Sequence, residues 1–344
     1  MQSEKSFSST KIGVVGAGSW GTALADLLGR KGFKVDHWVF EKEVKEQMCA
    51  GRENTVFLPG VSLSDNLNPT NNLRQVVTGK DLVLVVVPSH VMRVTTEQFA
   101  QWISPETILV SASKGIENKT HLTMTGVLNE VMGNSGQYQS AVLSGPSFAK
   151  EVAAQVPTVV TVASDDEKAA AFVQRVFATP YFRVYTHSDV LGVELGGSVK
   201  NVIAIAAGII DGMGLGLNTR AALITRGLTE IRRLGVKMGA NPRTFTGSAG
   251  VGDLILTCTG TLSRNHTVGK KIGEGKKLDE VLSEMRMVAE GVKTAKSVYN
   301  LSRKLDVEMP ISHAIYHILH EDLSPPKAVH LLMTRDLKQE LDED

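Results

Sequence analysis

The sequence predicts an α/β fold, with a doubly wound sheet over residues 1–190 and an all-α domain over residues 191–344. Three observations predict it. Short, nearly unbroken apolar runs alternate with helical patterns up to about residue 187, as expected of parallel strands covered on both faces. A glycine-rich turn joins the first such run to the first helical pattern. From about Ser188 the strand runs stop, and long patterns rich in Ala, Gly and Leu take over. A chain of 344 residues that is 42% hydrophobic can bury two cores, so the boundary is placed near residue 190.

The first strand, Ile12-Gly13-Val14-Val15, runs directly into Gly16-Ala17-Gly18-Ser19-Trp20-Gly21. Three glycines at this spacing let bare backbone hold a pyrophosphate. Gly16 allows the tight turn, Gly18 lets a diphosphate approach the main chain, and Gly21 lets the next helix pack on the sheet. That helix directs free N–H groups and its positive dipole end at the phosphates. Ser19 is placed to cap it, Ala23, Leu24, Leu27 and Leu28 recur at helical spacing, and Arg30-Lys31-Gly32 ends it. A second strand, 34–40, leads to Glu41, about 20 residues beyond Gly21, where a carboxylate accepts hydrogen bonds from an adenosine ribose. Strand, glycine turn, helix, strand and acid in that order favour a Rossmann-type dinucleotide site over a purely structural turn.

A polar stretch bearing Asn and Pro, 51–72, reads as a connection. Strands are expected at 81–88, 107–112 and 141–143, followed by the loops Pro88-Ser89-His90, Lys114-Gly115 and Ser144-Gly145-Pro146-Ser147. Ligands of open α/β sheets lie beyond the carboxyl ends of the strands, so these loops are candidate site walls. Strands at 158–163 and 182–185 extend the sheet around a helix that begins near Asp165, Asp166 and Glu167. Helices follow at 190–210, 219–234, 278–285, 291–305 and 312–319. Ser324 before Pro325 and Pro326 starts a last short one, and 340–344 reads as an acidic tail.

The 37 Lys and Arg nearly cancel the 36 Asp and Glu, so no broad basic field points to nucleic acid or an anionic membrane. Cys49 and Cys258 form no C-x-x-C pair, which fits a reducing compartment, and the expected location is the cytoplasm. The first ten residues lack an apolar signal core, and runs such as 202–210 fall short of the ~20 residues of a membrane span. No integral membrane association is expected.

A nicotinamide cofactor would need a proton donor and a grip on the substrate from the protein. Lys200 lies in an apolar helical stretch, where burial would lower its pKa into a useful range; the alternative is a lysine snorkelling to the surface. Asn201 beside it can both donate and accept. Asp253 follows Gly250-Val251-Gly252, either as a held carboxylate or as an N-cap. Ser263-Arg264-Asn265-His266 offers the donor set of a phosphate grip, or a solvated turn. Lys114 reads as a site lysine or a surface one. His313, His317 and His320 share a helix face, but no H-E-x-x-H pattern accompanies them, and no metal is expected. Met285 and Met287 read as packing filler.

The chain resembles the NAD(P)-dependent glycerol-3-phosphate dehydrogenase family over nearly its whole length. The carriers are Gly16 to Ala23, Ser113-Lys114-Gly115-Ile116, Gly145 to Glu151, Glu194 to Asn201, Gly214 to Ala222, Gly250 to Leu254 and Ser263-Arg264-Asn265. The resemblance implies hydride exchange between a nicotinamide and C2 of dihydroxyacetone phosphate or sn-glycerol 3-phosphate, serving phospholipid precursor supply. It matches Lys200 to the general acid/base and Lys114, Asn201, Asp253 and Thr257 to groups around the reacting carbon. Lys114, Lys200, Asp253, Gly145, Ser147, Ser263, Arg264 and Asn265 match substrate contacts. Gly16, Gly18, Ser19, Trp20, Gly21, Glu41, Lys114, Ala149, Arg264, Val288 and Glu290 match cofactor contacts. Where many bacterial members carry Arg or His after the second strand, this chain has Glu41, which favours NAD over NADP, although Lys42 softens that preference and NADP is admitted. The expected assembly is a homodimer. Two alternatives are a 3-hydroxyacid or ketopantoate-type reductase, disfavoured by Ser263-Arg264-Asn265, and a non-catalytic dinucleotide sensor, which has no use for Lys200 or Asp253.

Overall fold

The computed structural model describes residues 7–133, 138–285 and 288–340. Met287, the first six residues and the tail beyond Glu340 lie outside them. Eight strands form one sheet in the order β3-β2-β1-β4-β5-β6-β7-β8. They are β1 (Ile12–Val15), β2 (Val35–Trp38), β3 (Leu67–Thr70), β4 (Leu82–Val85), β5 (Ile108–Ser111), β6 (Gln139–Ser144), β7 (Thr158–Ala163) and β8 (Phe182–His187). All neighbours run parallel except β6 and β7, which pair antiparallel. The order reverses between β1 and β4, the switch point beside which ligands of such sheets bind.

Alternation explains why the strand runs are apolar throughout. Leu82 and Leu84 join one core with Val14 and Val110, whereas Val83 and Val85 join another with Val15 and Leu109. Both faces are therefore covered, by α1 (Ser19–Arg30), α2 (Lys42–Gly51), α3 (Leu73–Val77), α4 (Met92–Phe99), α5 (Met124–Met132), α6 (Ala149–Ala153) and α7 (Glu167–Phe177). The polar stretch 51–72 departs from expectation by containing β3, an edge strand whose Pro69 has no N–H to give.

After β8 the described residues form only helices: α8 (Val190–Gly212), α9 (Gly216–Lys237), α10 (Asp253–Thr259), α11 (Arg264–Gly273), α12 (Leu278–Ser283), α13 (Glu290–Leu305), α14 (Pro310–His320) and α15 (Pro325–Met333). α8 is the axis of this part. By length and composition it is apolar enough to cross a membrane, contrary to the expectation from run 202–210, and its most apolar stretch is buried within the protein. α11 lies against its carboxyl half. A Cβ on Gly269 or Gly273 would strike the carbonyl oxygen of Ile205 or Ile209, and one on Gly208 would strike that of His266. Only glycines allow the two backbones so close.

Two buried carboxylates serve as acceptors for helix starts elsewhere. Glu194 of α8 accepts from Thr125 N at 2.8 Å and Thr125 Oγ1 at 2.5 Å, at the first turn of α5. Glu230 of α9 accepts from Ile311 N at 2.6 Å and from Ser312 N and Oγ at 3.0 and 2.8 Å, at the start of α14. The unpaired N–H groups of a helix start are satisfied in this way without water. Burial pushes both carboxyl groups up, Glu230 to about 7, and these hydrogen bonds oppose the rise.

Candidate active site

The three glycines of the turn are constrained differently. Gly16 has φ +113°, and a Cβ there would strike the Val86 carbonyl. A Cβ on Gly21 would strike the Gly16 carbonyl, while one on Gly18 would meet nothing within 4 Å, leaving the space above the turn open to a ligand. Ser19 is not the cap: Gly18 occupies that position, and Ser19 Oγ donates to the Phe57 carbonyl at 2.6 Å. Among the described residues no side chain caps α1, whereas Asp166, Asp189 and Ser263 cap α7, α8 and α11. An uncapped helix start behind an open glycine fits a dinucleotide pyrophosphate. Trp20 packs against the sheet core, with its buried Nε1 lacking a hydrogen-bond partner among the described residues. Glu41 stands at the start of α2, beyond the carboxyl end of β2, and its side chain does not cap that helix.

Asp253 is the centre of a buried polar cluster. Ser248–Gly252 forms a single π-helical turn that runs straight into α10, so Asp253 enters at its first residue, 1% exposed. The turn approaches α8 where a Cβ on Gly196 would lie 2.6 Å from the Ala249 carbonyl. Asp253 does not act as an N-cap. Its Oδ1 accepts from Lys200 Nζ, and its Oδ2 accepts from Lys114 Nζ at 2.7 Å. Lys200 also donates to Thr257 Oγ1 at 2.6 Å, and Thr257 in turn donates to the Asp253 carbonyl at 2.6 Å.

Lys200 is 4% exposed and does not snorkel. Burial drives its ammonium down to about 7; the attraction of Asp253 resists this, and the repulsion of Lys114 adds to it. An amine that titrates near neutrality, held by a carboxylate and a hydroxyl, can give or take a proton at working pH.

The surrounding loops converge on this pair. Lys114, beyond β5, also reaches the Gly145 carbonyl at 3.4 Å, and Ser147 Oγ donates to that carbonyl at 2.9 Å. Ser263, Arg264 and Asn265 are the cap and first turn of α11 rather than a solvated turn, with Ser263 Oγ accepting from His266 N at 3.2 Å. Asn265 Nδ2 donates to Asn201 Oδ1 at 2.9 Å, and Asn265 Oδ1 accepts from Gly291 N at 2.9 Å. Arg264 Nη1 donates to the Val288 carbonyl at 2.9 Å. Crowding by protein lowers the Arg264 guanidinium from its ordinary value, and Glu290 opposes this. Glu290 accepts from Ser89 Oγ at 2.5 Å; burial raises its carboxyl, and the Ser89 bonds oppose the rise. Ala149 opens α6, which packs beside α1.

Two further residues of the site carry no individual signal in the sequence. Ser89 lies in a loop expected to form a site wall, and Ser198 Oγ accepts from Gly115 N at 2.9 Å within the Glu194 to Asn201 motif. The three histidines of α14 are engaged separately: His313 with Ser302, His317 with Glu321 and His320 with the Val292 carbonyl. Among the described residues no group of three His, Cys, Asp or Glu is disposed to hold a metal.

The sequence family of NAD-dependent glycerol-3-phosphate dehydrogenase N-termini matches residues 11–170, and that of the C-termini matches residues 189–330. The chain belongs to the NAD-dependent glycerol-3-phosphate dehydrogenase family. The NAD(P)+ glycerol-3-phosphate dehydrogenase of Geobacter sulfurreducens is 58% identical over 332 residues, spanning 96% of this chain and 99% of its own. The crystal structure of glycerol-3-phosphate dehydrogenase from Coxiella burnetii superposes with a TM-score of 0.92 at 40% identity, covering 95% of this chain and 100% of that one. A ketopantoate reductase from Ralstonia eutropha shares the fold alone, with a TM-score of 0.58 at 13% identity over 91% of this chain and 98% of its own. The glycine turn and the Lys200–Asp253 pair thus stand in a chain of the NAD(P)-dependent oxidoreductase family.

Proposed function

We propose that this glycerol-3-phosphate dehydrogenase interconverts dihydroxyacetone phosphate and sn-glycerol 3-phosphate, using Lys200 as general acid/base. The observation that carries this reading is Lys200 buried against Asp253 and Thr257, one loop away from the phosphate-type donors of α11. A bound nicotinamide supplies the hydride that adds to substrate C2. Lys200 gives its proton to the carbonyl oxygen in reduction and takes the hydroxyl proton in oxidation. Asp253 holds Lys200 in line and keeps enough positive charge on it to stabilise the developing alkoxide. Thr257 fixes the amine from a second direction, and Asn201 and Lys114 complete the polar surround of the carbon.

Arg264 and Asn265 grip the phosphate, with Ser263 at the same helix start, and Gly145 and Ser147 form the opposite wall. Gly16, Gly18, Ser19, Trp20 and Gly21 carry the dinucleotide at α1, and Ala149, Val288, Glu290 and Lys114 meet it from further along the chain. Glu41 takes the ribose hydroxyls and repels a 2′-phosphate, which favours NAD, while Lys42 leaves NADP usable. The division between the dinucleotide part and the catalytic part falls at residue 190. A cytoplasmic homodimer supplying glycerol 3-phosphate for phospholipid synthesis fits the near-neutral charge balance and the reducing-type cysteine usage.

The test follows the loss of NADH absorbance with purified protein and three ketones: dihydroxyacetone phosphate, ketopantoate and a 3-ketoacid. Turnover confined to dihydroxyacetone phosphate is expected. Faster turnover of ketopantoate, or none with any ketone, overturns the proposal.

A further inference from the structure

The stretch Gly214 to Ala222 belongs to the resemblance, yet none of its residues has a place in the chemistry above. Gly214 and Gly216, at φ +69° and +84°, turn the chain sharply from the end of α8 into α9. Arg220, on the first turns of α9, then reaches back so that its Nη1 lies 2.9 Å from Asp211 Oδ2, on the last turn of α8. The same carboxylate oxygen meets His266 Nε2 at 2.8 Å, on the first turn of α11. One oxygen thereby ties three helix ends together. All three side chains are largely shielded, with side-chain exposures of 22% for Asp211, 25% for Arg220 and 11% for His266.

The location gives this cluster its meaning. His266 directly follows Arg264 and Asn265, and its backbone N–H closes the Ser263 cap. Gly208, Gly269 and Gly273 leave the backbones of α8 and α11 in contact, which limits how far α11 can tilt. The freedom left to its first turn is to shift along or roll about α8, and two bonds block this: Asn265 to Asn201 on one side and His266 to Asp211 on the other.

We infer that Asp211, Arg220 and His266 form a positioning cluster that fixes the first turn of α11, and that they thereby set the preference for a phosphate-bearing ketone. Asp211 orients His266 and so the cap, and Arg220 holds the Asp211 carboxylate in place. None of the three needs to touch substrate. This inference rests on the grip assigned to Arg264 and Asn265.

Asp211→Asn, Arg220→Gln, His266→Leu and His266→Gln are compared with the unaltered enzyme, using dihydroxyacetone phosphate and its phosphate-free analogue dihydroxyacetone, with KM for NADH measured alongside. Asp211→Asn, Arg220→Gln and His266→Leu should lower kcat/KM for the phosphorylated ketone by about 10- to 100-fold, mainly through KM, the scale of a lost charge-assisted hydrogen bond. The dihydroxyacetone rate and the NADH KM should move by less than about 3-fold. His266→Gln keeps a donor for Asp211 and should restore most of the loss. A parallel fall on both ketones, or a drop in melting temperature with kinetics unchanged, overturns the positioning role. Arg264→Ala separates the two readings: an unchanged KM for dihydroxyacetone phosphate in that variant means that the phosphate grip itself was misassigned. If Asp211→Asn does not fold, Arg220→Gln and the two His266 variants decide between these outcomes by the same kinetics.

Discussion

At the scale of single residues, the decisive fact is that an amine has been placed where water cannot stabilise its charge. Burial outweighs the Asp253 carboxylate and brings Lys200 down to about 7, which sets the pH at which the rates should change. With Lys200 as the proposed proton donor, reduction needs the ammonium, so kcat/KM for dihydroxyacetone phosphate should be level below about pH 7 and fall roughly tenfold per unit above it. Oxidation of glycerol 3-phosphate needs the neutral amine, so its kcat/KM should rise toward about pH 7 and then level. Initial rates in both directions across roughly two pH units on either side of that value check this, and two profiles with the same slope would contradict it. Glu41 is proposed to stand beside the ribose, where a carboxylate repels a 2′-phosphate. NADH should therefore give the larger kcat/KM, and Glu41→Gln should narrow the gap; a clear NADPH advantage in the unaltered enzyme counts against the assignment.

At the scale of elements, the structure uses close backbone contact and buried carboxylates where the sequence shows only composition. The strands and the first βαβ unit are legible because period, glycine spacing and the acid at Glu41 are local signals. α10 is legible only as the helix that a junction at Asp253 implies, and α11 is not legible as a helix. They are short, and their starts, Asp253 and Ser263-Arg264-Asn265, carry residues that suit loops as well as caps. β3 is hidden for a related reason, since an edge strand bearing Asn68 and Pro69 lacks the apolar run of its neighbours. Glu194 and Glu230 are acidic residues in helix patterns, and nothing local reveals that they receive the N–H groups of α5 and α14. Glu230→Ala would strand the Ile311 and Ser312 amides in the core, at a cost of about 1 to 3 kcal/mol for each buried donor left unpaired. Thermal unfolding should show a clearly lowered midpoint, with partial recovery in Glu230→Gln, which keeps one acceptor oxygen. An unchanged midpoint in Glu230→Ala would mean that water reaches the start of α14.

At the scale of the whole molecule, the site exists only because the sheet part and the helical part meet. Lys114 comes from the loop after β5 and Asp253 from the helical part, and their ion pair spans the junction. Further bonds brace the same junction: Ser89 to Glu290, Gly115 to Ser198, Ser297 to the Ile116 carbonyl, and Glu194 to Thr125. In the proposed reaction the α1 turn and the amine on α8 serve one site, and these contacts hold the two parts together. The sequence points to each half of this arrangement separately. That Lys114 and Lys200 share a single carboxylate is a long-range fact, and no spacing along the chain encodes it. The most direct test is turnover of dihydroxyacetone phosphate by Lys200→Met at saturating NADH, with NADH binding followed by fluorescence. A loss of about 10²- to 10⁴-fold in kcat with NADH affinity retained is the expected result; turnover near that of the unaltered enzyme would contradict the role given to Lys200.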